Sequence, residues 1–389
     1  MGRFLRSKTP LSFIFFVYIA LACLLFKSKI EQHFFEAIDI SEYDIDEHQE
    51  HRLAHRFWDY DELLPPGTKP KRVEILMWTK YYGNTDLTDH IRLESPVPSW
   101  CSITFNRSAL KTAQVLVFHD TGSDLQLSDL PERSASQPWV WYAIEPPAYM
   151  QKDMSPYKDL FNYTMTFRLD SDFPCPYGYV EGLGERQENP YLADPAFPRS
   201  SKTKPIAWMV SHCSTNSQRE KLVHELRKHI PVDIYGSCGS LECDRKDEEG
   251  CYAKLGKHYK FYLSFENSLC KDYVTEKFSN ALHYNLVPIV YGGGNYSAIL
   301  PYPKSFISVE DFQSVSALAD YLKYLDANET AYAEYFEWKR YYRMMIRQGF
   351  AGFRRICYAF QQNPQPNIYH DLGSWWKEET CFPTKPFRP

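Results

Sequence analysis

The 389-residue chain lacks several features that would assign it to a common class of protein. Its net charge is only −5, so bulk electrostatics give no reason to expect a nucleic-acid partner. A mean hydropathy of −0.48 excludes a polytopic membrane protein. There is no internal repeat, no low-complexity tract and no CxxC pair, and the missing cysteine pairs count against a zinc site. What remains is a globular composition, 44% hydrophobic and 24% charged, with length enough for two domains.

One uncharged apolar run lies near the amino terminus, at residues 11–26. A full membrane span needs roughly 20 residues, but flanking lysines and a thin bilayer can absorb the difference. The flanking basic residues are Arg3, Arg6, Lys8, Lys27 and Lys29. A cleaved signal peptide is the alternative, although LLFKSKI offers no well-placed small residues for cleavage. We expect a cytoplasmic tail at 1–10 and an uncleaved signal anchor at 11–26.

An acidic segment follows this anchor. Residues 31–62 carry eleven acidic and two basic side chains, whereas 63–389 is close to neutral. The segment has no sustained periodicity and ends near Pro65-Pro66-Gly67. We therefore expect a stem at 27–69.

Two features indicate that the rest of the chain enters the secretory lumen. Four N-glycosylation sequons begin at Asn106, Asn162, Asn295 and Asn328. Nine of the ten cysteines lie beyond the predicted anchor, and disulfides explain them better than a metal does. Their connectivity is left open, and the odd number leaves at least one thiol free or paired between chains.

The apolar pattern predicts two α/β domains joined by a connector. We assign a first domain to 70–184, a Pro-rich connector to 185–205, a second domain to 206–360 and a C-terminal tail to 361–389. Strands are predicted at 73–78, 114–118, 139–144, 206–210, 232–235, 261–265 and 287–291, and helices at 217–230, 273–285 and 315–325. Alternating strands and helices imply a parallel sheet, with a ligand site where the two domains meet at the carboxyl ends of the strands.

The segment 261–293 carries the most chemistry. Its strand ends in Glu266-Asn267, and Asp272 is a good N-cap for the predicted helix. On that helix Tyr273, Glu276 and Lys277 share one arc near the N-terminus, where a lysine and the helix dipole favour an anion. The alternative is an ordinary capped helix with a solvated Glu-Lys pair.

The residues of this segment also resemble a known family. FYLSFENS, DYVTEK and VPIVYG between positions 261 and 292 are similar to the donor-binding motif of the α1,3-fucosyltransferases, Golgi type II enzymes with a GT-B fold. Upstream IAWMVSHC, VDIYGSCG and WVWYAIEPP, and downstream SFISVEDF, match the family in order and spacing. The resemblance covers about 73–360, and CGSLEC resembles the invertebrate and plant branch.

The resemblance implies a donor, GDP-β-L-fucose, and a set of residues that contact it. Arg219 and Lys277 match the cationic residues at the diphosphate, and Glu145 matches the general base. The remaining matches to donor contacts are Glu276, Tyr273, Asn267, Tyr262 and Ser211. Without the resemblance, Glu145 could equally cap a turn.

Three positions depart from the family pattern. His212 stands where the family has Asn after Ser211, and Pro146-Pro147 replaces Ser-Pro after the base. The C-terminal CxxC is reduced to Cys357, for which the resemblance suggests a first-domain partner such as Cys101.

These observations predict a Golgi-anchored, single-pass type II enzyme with a lumenal catalytic domain. It would transfer fucose with inversion from GDP-fucose to the 3-OH of N-acetylglucosamine in a glycoprotein glycan. No cofactor is required, though stimulation by Mn²⁺ or Mg²⁺ is left open. Two alternatives stand beside it: a metal-dependent transferase that uses Asp170 and Asp172 as a DxD motif, and a catalytically silent glycan-binding module.

Overall fold

The structure is a computed structural model that describes residues 64, 67, 69–87, 97–122, 125–150, 152–193, 197, 199–244, 247–346, 350–362, 364, 367–378 and 380–384. All of them belong to one compact unit, Ala54–Pro389. The predicted tail at 1–10, the predicted anchor at 11–26 and nearly all of the predicted stem lie outside the described residues. Within the described ranges, no helix has both the length and the apolar character to span a bilayer.

The first sheet has five parallel strands in the order β2-β1-β3-β4-β5. They are β1 Val73–Met77, β2 Cys101–Thr104, β3 Val115–His119, β4 Trp139–Ala143 and β5 Tyr163–Thr166. The runs of the three central strands are almost continuously apolar because both faces of the sheet are buried. The predicted strands at 73–78, 114–118 and 139–144 are confirmed to within one residue at each end.

The second sheet is also parallel, in the order β11-β10-β9-β7-β8. Its strands are β7 Lys204–Met209, β8 Val232–Tyr235, β9 Tyr259–Phe265, β10 Val287–Tyr291 and β11 Ile307–Ser308. The predicted bounds of β8 and β10 are confirmed residue for residue, and β7 and β9 each begin two residues before the predicted start. The expectation of parallel α/β architecture is confirmed in both sheets.

Helices accompany mainly the second sheet and the C-terminal part of the chain. The described α-helices are α1 Pro190–Ala193, α2 Arg219–Leu226, α3 Glu248–His258, α4 Glu276–His283, α5 Tyr296–Ile299, α6 Val315–Ala327, α7 Glu329–Ala333, α8 Ala351–Ala359 and α9 Leu372–Lys377. The first sheet is flanked in sequence by short 3₁₀ turns, such as Arg107–Lys111 and Pro147–Tyr149.

The predicted helix faces are confirmed, but two helices are shorter than predicted. Leu222, Val223 and Leu226 of α2 are buried, as are Phe278, Ala281 and Leu282 of α4. The helix predicted at 217–230 begins at Arg219, because Gln218 has a left-handed φ of 52°. The helix predicted at 273–285 begins at Glu276, because Asp272 has a φ of 58° and cannot continue a right-handed helix.

The end of the chain packs back on the first sheet. Phe353 and Ile356 of α8, with Leu372 and Trp376 of α9, are fully buried in the same apolar core as the strands β1, β3 and β4. The sequence assigns α8 to the second domain and α9 to a tail, but their apolar faces are buried by the first sheet. A two-stranded antiparallel ribbon also joins β6 Gly178–Gly182 to β12 Tyr342–Ile346.

Four disulfides confirm the prediction of an oxidised cysteine framework. Cys101 bonds to Cys357 on α8, as the family resemblance suggests, and ties the first sheet to the C-terminal segment. The other three are Cys213–Cys238, Cys243–Cys251 and Cys270–Cys381. Cys175 is buried and outside these four disulfides, and burial raises the pKa of its thiol to about 12. This thiol is therefore protonated and unreactive at neutral pH.

Candidate active site

The carboxyl end of β4 presents a carboxylate. Glu145 is half-buried and lies between the strand and the Pro147–Tyr149 turn, whose prolines are buried. The Tyr82 hydroxyl donates a hydrogen bond to Glu145 Oε1 at 2.8 Å. Tyr82 itself is 49% exposed and has a left-handed φ of 47°. One oxygen of the carboxylate is thus fixed by a neighbour at the surface of the molecule.

A second group of charges lies where β9 ends and α4 begins. The fully buried Glu266 accepts hydrogen bonds from the Thr275 amide at 2.8 Å and from its hydroxyl at 2.9 Å. Lys277 Nζ lies 3.2 Å from Glu266 Oε2 and 2.8 Å from Glu276 Oε1. The N-terminal turn of α4 is therefore built around one ammonium and two carboxylates.

The pKa values of this cluster follow from burial and mutual charge. Burial raises the pKa of Glu266, and the nearby Lys277 only partly opposes this. Burial alone would lower the pKa of Lys277, but the carboxylates of Glu266 and Glu276 raise it above its ordinary value. Burial alone would raise the pKa of Glu276, but the Lys277 charge holds it below its usual range. Lys277 is therefore a permanent cation near neutral pH.

A buried guanidinium lies at the start of α2. Arg219 is 3% exposed, and its Nη1 donates to the Phe265 carbonyl at 2.5 Å. Its Nε has no acceptor, and no carboxylate forms an ion pair with it within the described ranges. Burying a cation without a counter-charge costs free energy. An anionic ligand would supply the counter-charge that the described residues do not give Arg219.

The base candidate and the two cations all interact electrostatically with one tyrosine, Tyr149. Partial burial raises the pKa of Tyr149, with opposing electrostatic contributions from Arg219 and Lys277 and a reinforcing one from Glu145. Beside it, Asn216 Nδ2 donates to the Ala148 carbonyl at 3.4 Å, which links the loop after β7 to the turn after β4. Glu145, Arg219 and Lys277 therefore each interact electrostatically with Tyr149, although they lie up to 132 positions apart in sequence.

Two predicted donor contacts follow the ends of second-sheet strands. Asn267 is half-buried, and its Oδ1 has no donor among the described residues. Its carbonyl accepts from the Ser217 amide at 3.0 Å, which ties the end of β9 to the start of α2. Ser211 lies half-buried just beyond β7, and His212 after it is exposed. Asn267 and Ser211 therefore both lie near the carboxyl ends of the second-sheet strands, as predicted. Their roles as donor contacts stay predictions.

Two other residues predicted to contact the donor are buried in this structure, and their roles stay predictions. Tyr262 is completely buried, and its hydroxyl pairs with that of Tyr252 at 3.0 Å, so it offers no surface to a donor. Tyr273 lies before α4, not on it, and is 3% exposed. Its ring packs on Phe167 at 4.9 Å, because the left-handed turn at Asp272 directs the chain into the first core. The arc predicted for Tyr273, Glu276 and Lys277 is thus reduced to the last two.

The Asp170/Asp172 pair is engaged by the protein. Asp170 forms ion pairs with Arg168 at 2.7 Å and Lys271 at 3.0 Å, and these lower its pKa to about 2. Asp172 Oδ2 accepts from the backbone amide and hydroxyl of Thr164, at 2.8 and 3.0 Å. Both carboxylates therefore already have structural partners, which disfavours the DxD alternative.

The four predicted glycosylation sites differ in exposure. Asn162 is 5% exposed, its Oδ1 accepts from the Trp139 amide, and its Nδ2 donates to the Asn367 carbonyl at 2.8 Å. Glycosylation at all four positions stays a prediction. Asn106 and Asn295 are exposed, and Asn328 is half-buried.

Sequence reasoning missed three groups at this site. Glu266 was noted only as a polar strand end, and nothing in the chain around Tyr82 or Tyr149 marks them as neighbours of Glu145. Their roles depend on chain segments that meet only in the folded protein.

Comparison with known proteins identifies the family of this chain. Residues 70–178 match the family model "Fucosyltransferase, N-terminal", and 199–375 match "Glycosyltransferase family 10 (fucosyltransferase) C-term". The chain is 36% identical over 332 residues to alpha-(1,3)-fucosyltransferase C of Drosophila melanogaster, covering 78% of this chain and 77% of that protein. The chain belongs to the α1,3-fucosyltransferase family.

Family 10 members from vertebrates match equally well. A bovine relative, 3-galactosyl-N-acetylglucosaminide 4-alpha-L-fucosyltransferase FUT3, is 36% identical over 316 residues, covering 78% of this chain and 82% of that protein. The invertebrate and plant branch therefore stays a prediction. A solved α1,3-fucosyltransferase structure aligns with a TM-score of 0.51 at 18% identity, covering 82% of this chain and 98% of that one, which supports the fold.

As a member of this family the protein is a glycosyltransferase, and the prediction of an enzyme is confirmed. The buried ion pair between Lys277 and Glu266 leads to one prediction about stability. We expect Lys277→Met to lower the free energy of unfolding by about 3–5 kcal/mol, because it leaves the buried Glu266 carboxylate without a counter-charge. Chemical denaturation of the full chain measures this change.

Lys228→Met is the matched control for that variant. Lys228 forms an exposed pair with Glu225, and its loss should cost less than about 1 kcal/mol. The double variant Glu266→Gln/Lys277→Met should recover part of the lost stability. Equal stability of Lys277→Met and Lys228→Met would contradict the arrangement of charges described above.

Proposed function

We propose that the protein is an inverting fucosyltransferase that moves L-fucose from GDP-β-L-fucose to the 3-OH of N-acetylglucosamine in a glycoprotein glycan. The observation that carries the proposal is that Glu145, Arg219 and Lys277 all interact electrostatically with the same residue, Tyr149. An acid and two cations at the carboxyl edges of two parallel sheets suit a base and a diphosphate site.

The residues would divide the reaction between them. The Glu145 carboxylate takes the proton from the acceptor hydroxyl as that oxygen bonds to the anomeric carbon of fucose. The bond from this carbon to the GDP oxygen breaks, and the sugar passes through an oxocarbenium-like state with inversion. The Arg219 guanidinium and the Lys277 ammonium offset the charge that grows on the departing diphosphate.

Tyr82 should position the base. Its hydroxyl holds Glu145 Oε1 and leaves the other oxygen for the acceptor. We expect Tyr82→Phe to lower kcat/KM for the acceptor about fivefold, the equivalent of one hydrogen bond of about 1 kcal/mol, with GDP affinity unchanged. Steady-state kinetics with varied acceptor measure this change.

Tyr324→Phe is the control for the hydroxyl deletion, since Tyr324 is an exposed tyrosine on α6 that accepts from Asn328. Its kinetic constants should equal those of the wild type. A Tyr82→Phe enzyme as active as this control would show that the hydrogen bond does not position Glu145.

We also propose that the enzyme acts in the Golgi lumen from a single type II anchor. The uncharged run at 11–26, the sequons and the four disulfides support an oxidising lumenal compartment. Protease protection of the full chain in sealed microsomes tests the orientation: a protected catalytic part with an accessible amino terminus supports it.

A transfer assay on the full detergent-solubilised chain tests the activity. GDP-fucose is supplied with core-type N-glycan, LacNAc or LacdiNAc acceptors, and mass spectrometry locates the fucose and its linkage. Transfer to the 3-OH that persists in EDTA supports the proposal. Loss in EDTA with recovery in Mn²⁺ would favour the DxD alternative, and glycan binding without turnover would favour the silent module.

A further inference from the structure

A cavity of about 590 Å³ lies beside the antiparallel ribbon, away from the candidate active site. Its wall includes Gln187, His283, Trp338, Lys339 and Arg343. His283 is the last residue of α4, whose first two residues are Glu276 and Lys277. At 1.5 Å per residue the two ends of this helix lie about 10 Å apart, and none of the candidate active-site residues lines the cavity.

Two of the wall residues are cations without a carboxylate partner. Neither Lys339 nor Arg343 forms an ion pair with any carboxylate in the parts of the chain that the structure describes. Arg343 is exposed on β12, and its cross-strand neighbour Glu181 accepts a hydrogen bond from the Tyr179 hydroxyl.

The other nearby carboxylates are directed elsewhere. Glu337 accepts from Asn189 and pairs with Arg340 at 2.9 Å, outside the cavity wall. Glu249 interacts electrostatically with His283, and it is the only acidic group that does so among the described residues. The cavity itself is lined by no acidic side chain of the described ranges.

A third lysine, Lys202, interacts electrostatically with Lys339. Lys202 is 4% exposed, and its Nζ donates to the carbonyls of Gly256, Tyr259 and Asn285. Burial, and then the Lys339 charge, lower the pKa of Lys202 to about 7. Burial lowers the pKa of Lys339 to about 8. An anion placed in the cavity would relieve the cost of holding these ammonium groups out of water.

Polar and aromatic groups complete the cavity wall. Trp338 is only 1% exposed, and the Lys339 ammonium lies 4.8 Å from the centre of its ring, which holds the ammonium at the wall. The exposed Gln187 amide and the ring of Tyr342 suit the hydroxyls and the apolar face of a sugar.

We propose that this cavity binds a saccharide carrying a sulfate or phosphate ester, with Lys339 and Arg343 contacting the tetrahedral oxyanion. Its volume lies within the roughly 300–1,000 Å³ typical of small-molecule sites. The site is independent of the donor and acceptor sites proposed above, because none of their residues lines it.

Calorimetric titration of the full chain in detergent tests this site. The probes are glucose 6-sulfate, glucose 6-phosphate and glucose, none of which is the proposed acceptor. Both esters should bind about tenfold or more tightly than glucose, as expected for charge-assisted hydrogen bonds, and GDP should not compete. The tighter of the two esters identifies the natural anion.

Variants then locate the binding. Lys339→Met should weaken ester binding about tenfold, and Lys339→Arg should retain it. If Lys339→Met fails to fold, Arg343→Gln, which changes an exposed side chain, tests the contact with the oxyanion instead. Lys323→Met, which removes an exposed lysine on α6, should bind like the wild type. Equal binding of glucose and its esters, no binding of either ester, or affinities unchanged in both cavity variants would overturn the proposal.

Discussion

We expect Glu145→Gln to lower kcat for fucose transfer by about 10²–10⁴-fold, the usual contribution of a general base. The amide keeps the size of the side chain and can still accept from the Tyr82 hydroxyl, so the local structure should persist. It cannot take the acceptor proton. Because Glu145 follows a first-sheet strand and the diphosphate cations come from the second, GDP affinity should stay within about twofold of the wild type.

Single-turnover transfer and GDP calorimetry measure these two quantities separately. Glu132→Gln is the matched control, an exposed glutamate before β4 that should leave both unchanged. A Glu145→Gln enzyme that retains wild-type transfer would remove Glu145 from the reaction. Loss of GDP binding in that variant would instead place the carboxylate at the nucleotide.

Arg219→Met should weaken GDP binding about 30- to 100-fold, the equivalent of about 2–3 kcal/mol for charge-assisted hydrogen bonds to a diphosphate. The guanidinium is buried, and it has no carboxylate partner in the described part of the chain. Its removal should therefore not destabilise the fold as Lys277→Met does, because it leaves no buried acid uncompensated. Arg219 is for this reason the cleaner test of the diphosphate site.

GDP calorimetry measures the loss of affinity in Arg219→Met, and chemical denaturation measures its free energy of unfolding. Lys221→Met is the control on the same helix, since Lys221 is exposed and contacts Gln218. Arg219→Lys keeps the charge but loses the planar array of donors, so its affinity should be intermediate. Wild-type GDP affinity in Arg219→Met would place the diphosphate elsewhere.

Much of the second sheet could be predicted from local sequence. The strands β8 and β10 are short, apolar and bounded by turn residues, so their limits are visible in the chain itself. The starts of α2 and α4 are not visible in this way. The Thr275 amide donates to Glu266, the residue directly after β9, and Thr275 is the N-cap from which α4 begins. That hydrogen bond exists only after β9 and α4 have packed together.

The residues of the candidate site also differ in how far the sequence alone could predict them. Glu145, Arg219 and Lys277 were identified by residue type, position after a strand or in the first turn of a helix, and resemblance to a family. Tyr262 and Tyr273 carried the same kind of evidence, yet the fold buries them in apolar cores. A tyrosine is amphipathic, so its sequence context does not decide whether its hydroxyl reaches a cleft or a neighbouring ring.

By itself, the sequence determined the family, the parallel α/β pattern, the presence of disulfides and the principal charged residues. Each of these depends on local periodicity, on residue counts or on contiguous motifs. The tertiary structure alone decided which carboxylates have protein partners, which cations lack a carboxylate partner among the described residues, and that α8 and α9 complete the first core. These properties depend on contacts between segments far apart in the chain, and burial and pairing energies exist only once those segments meet.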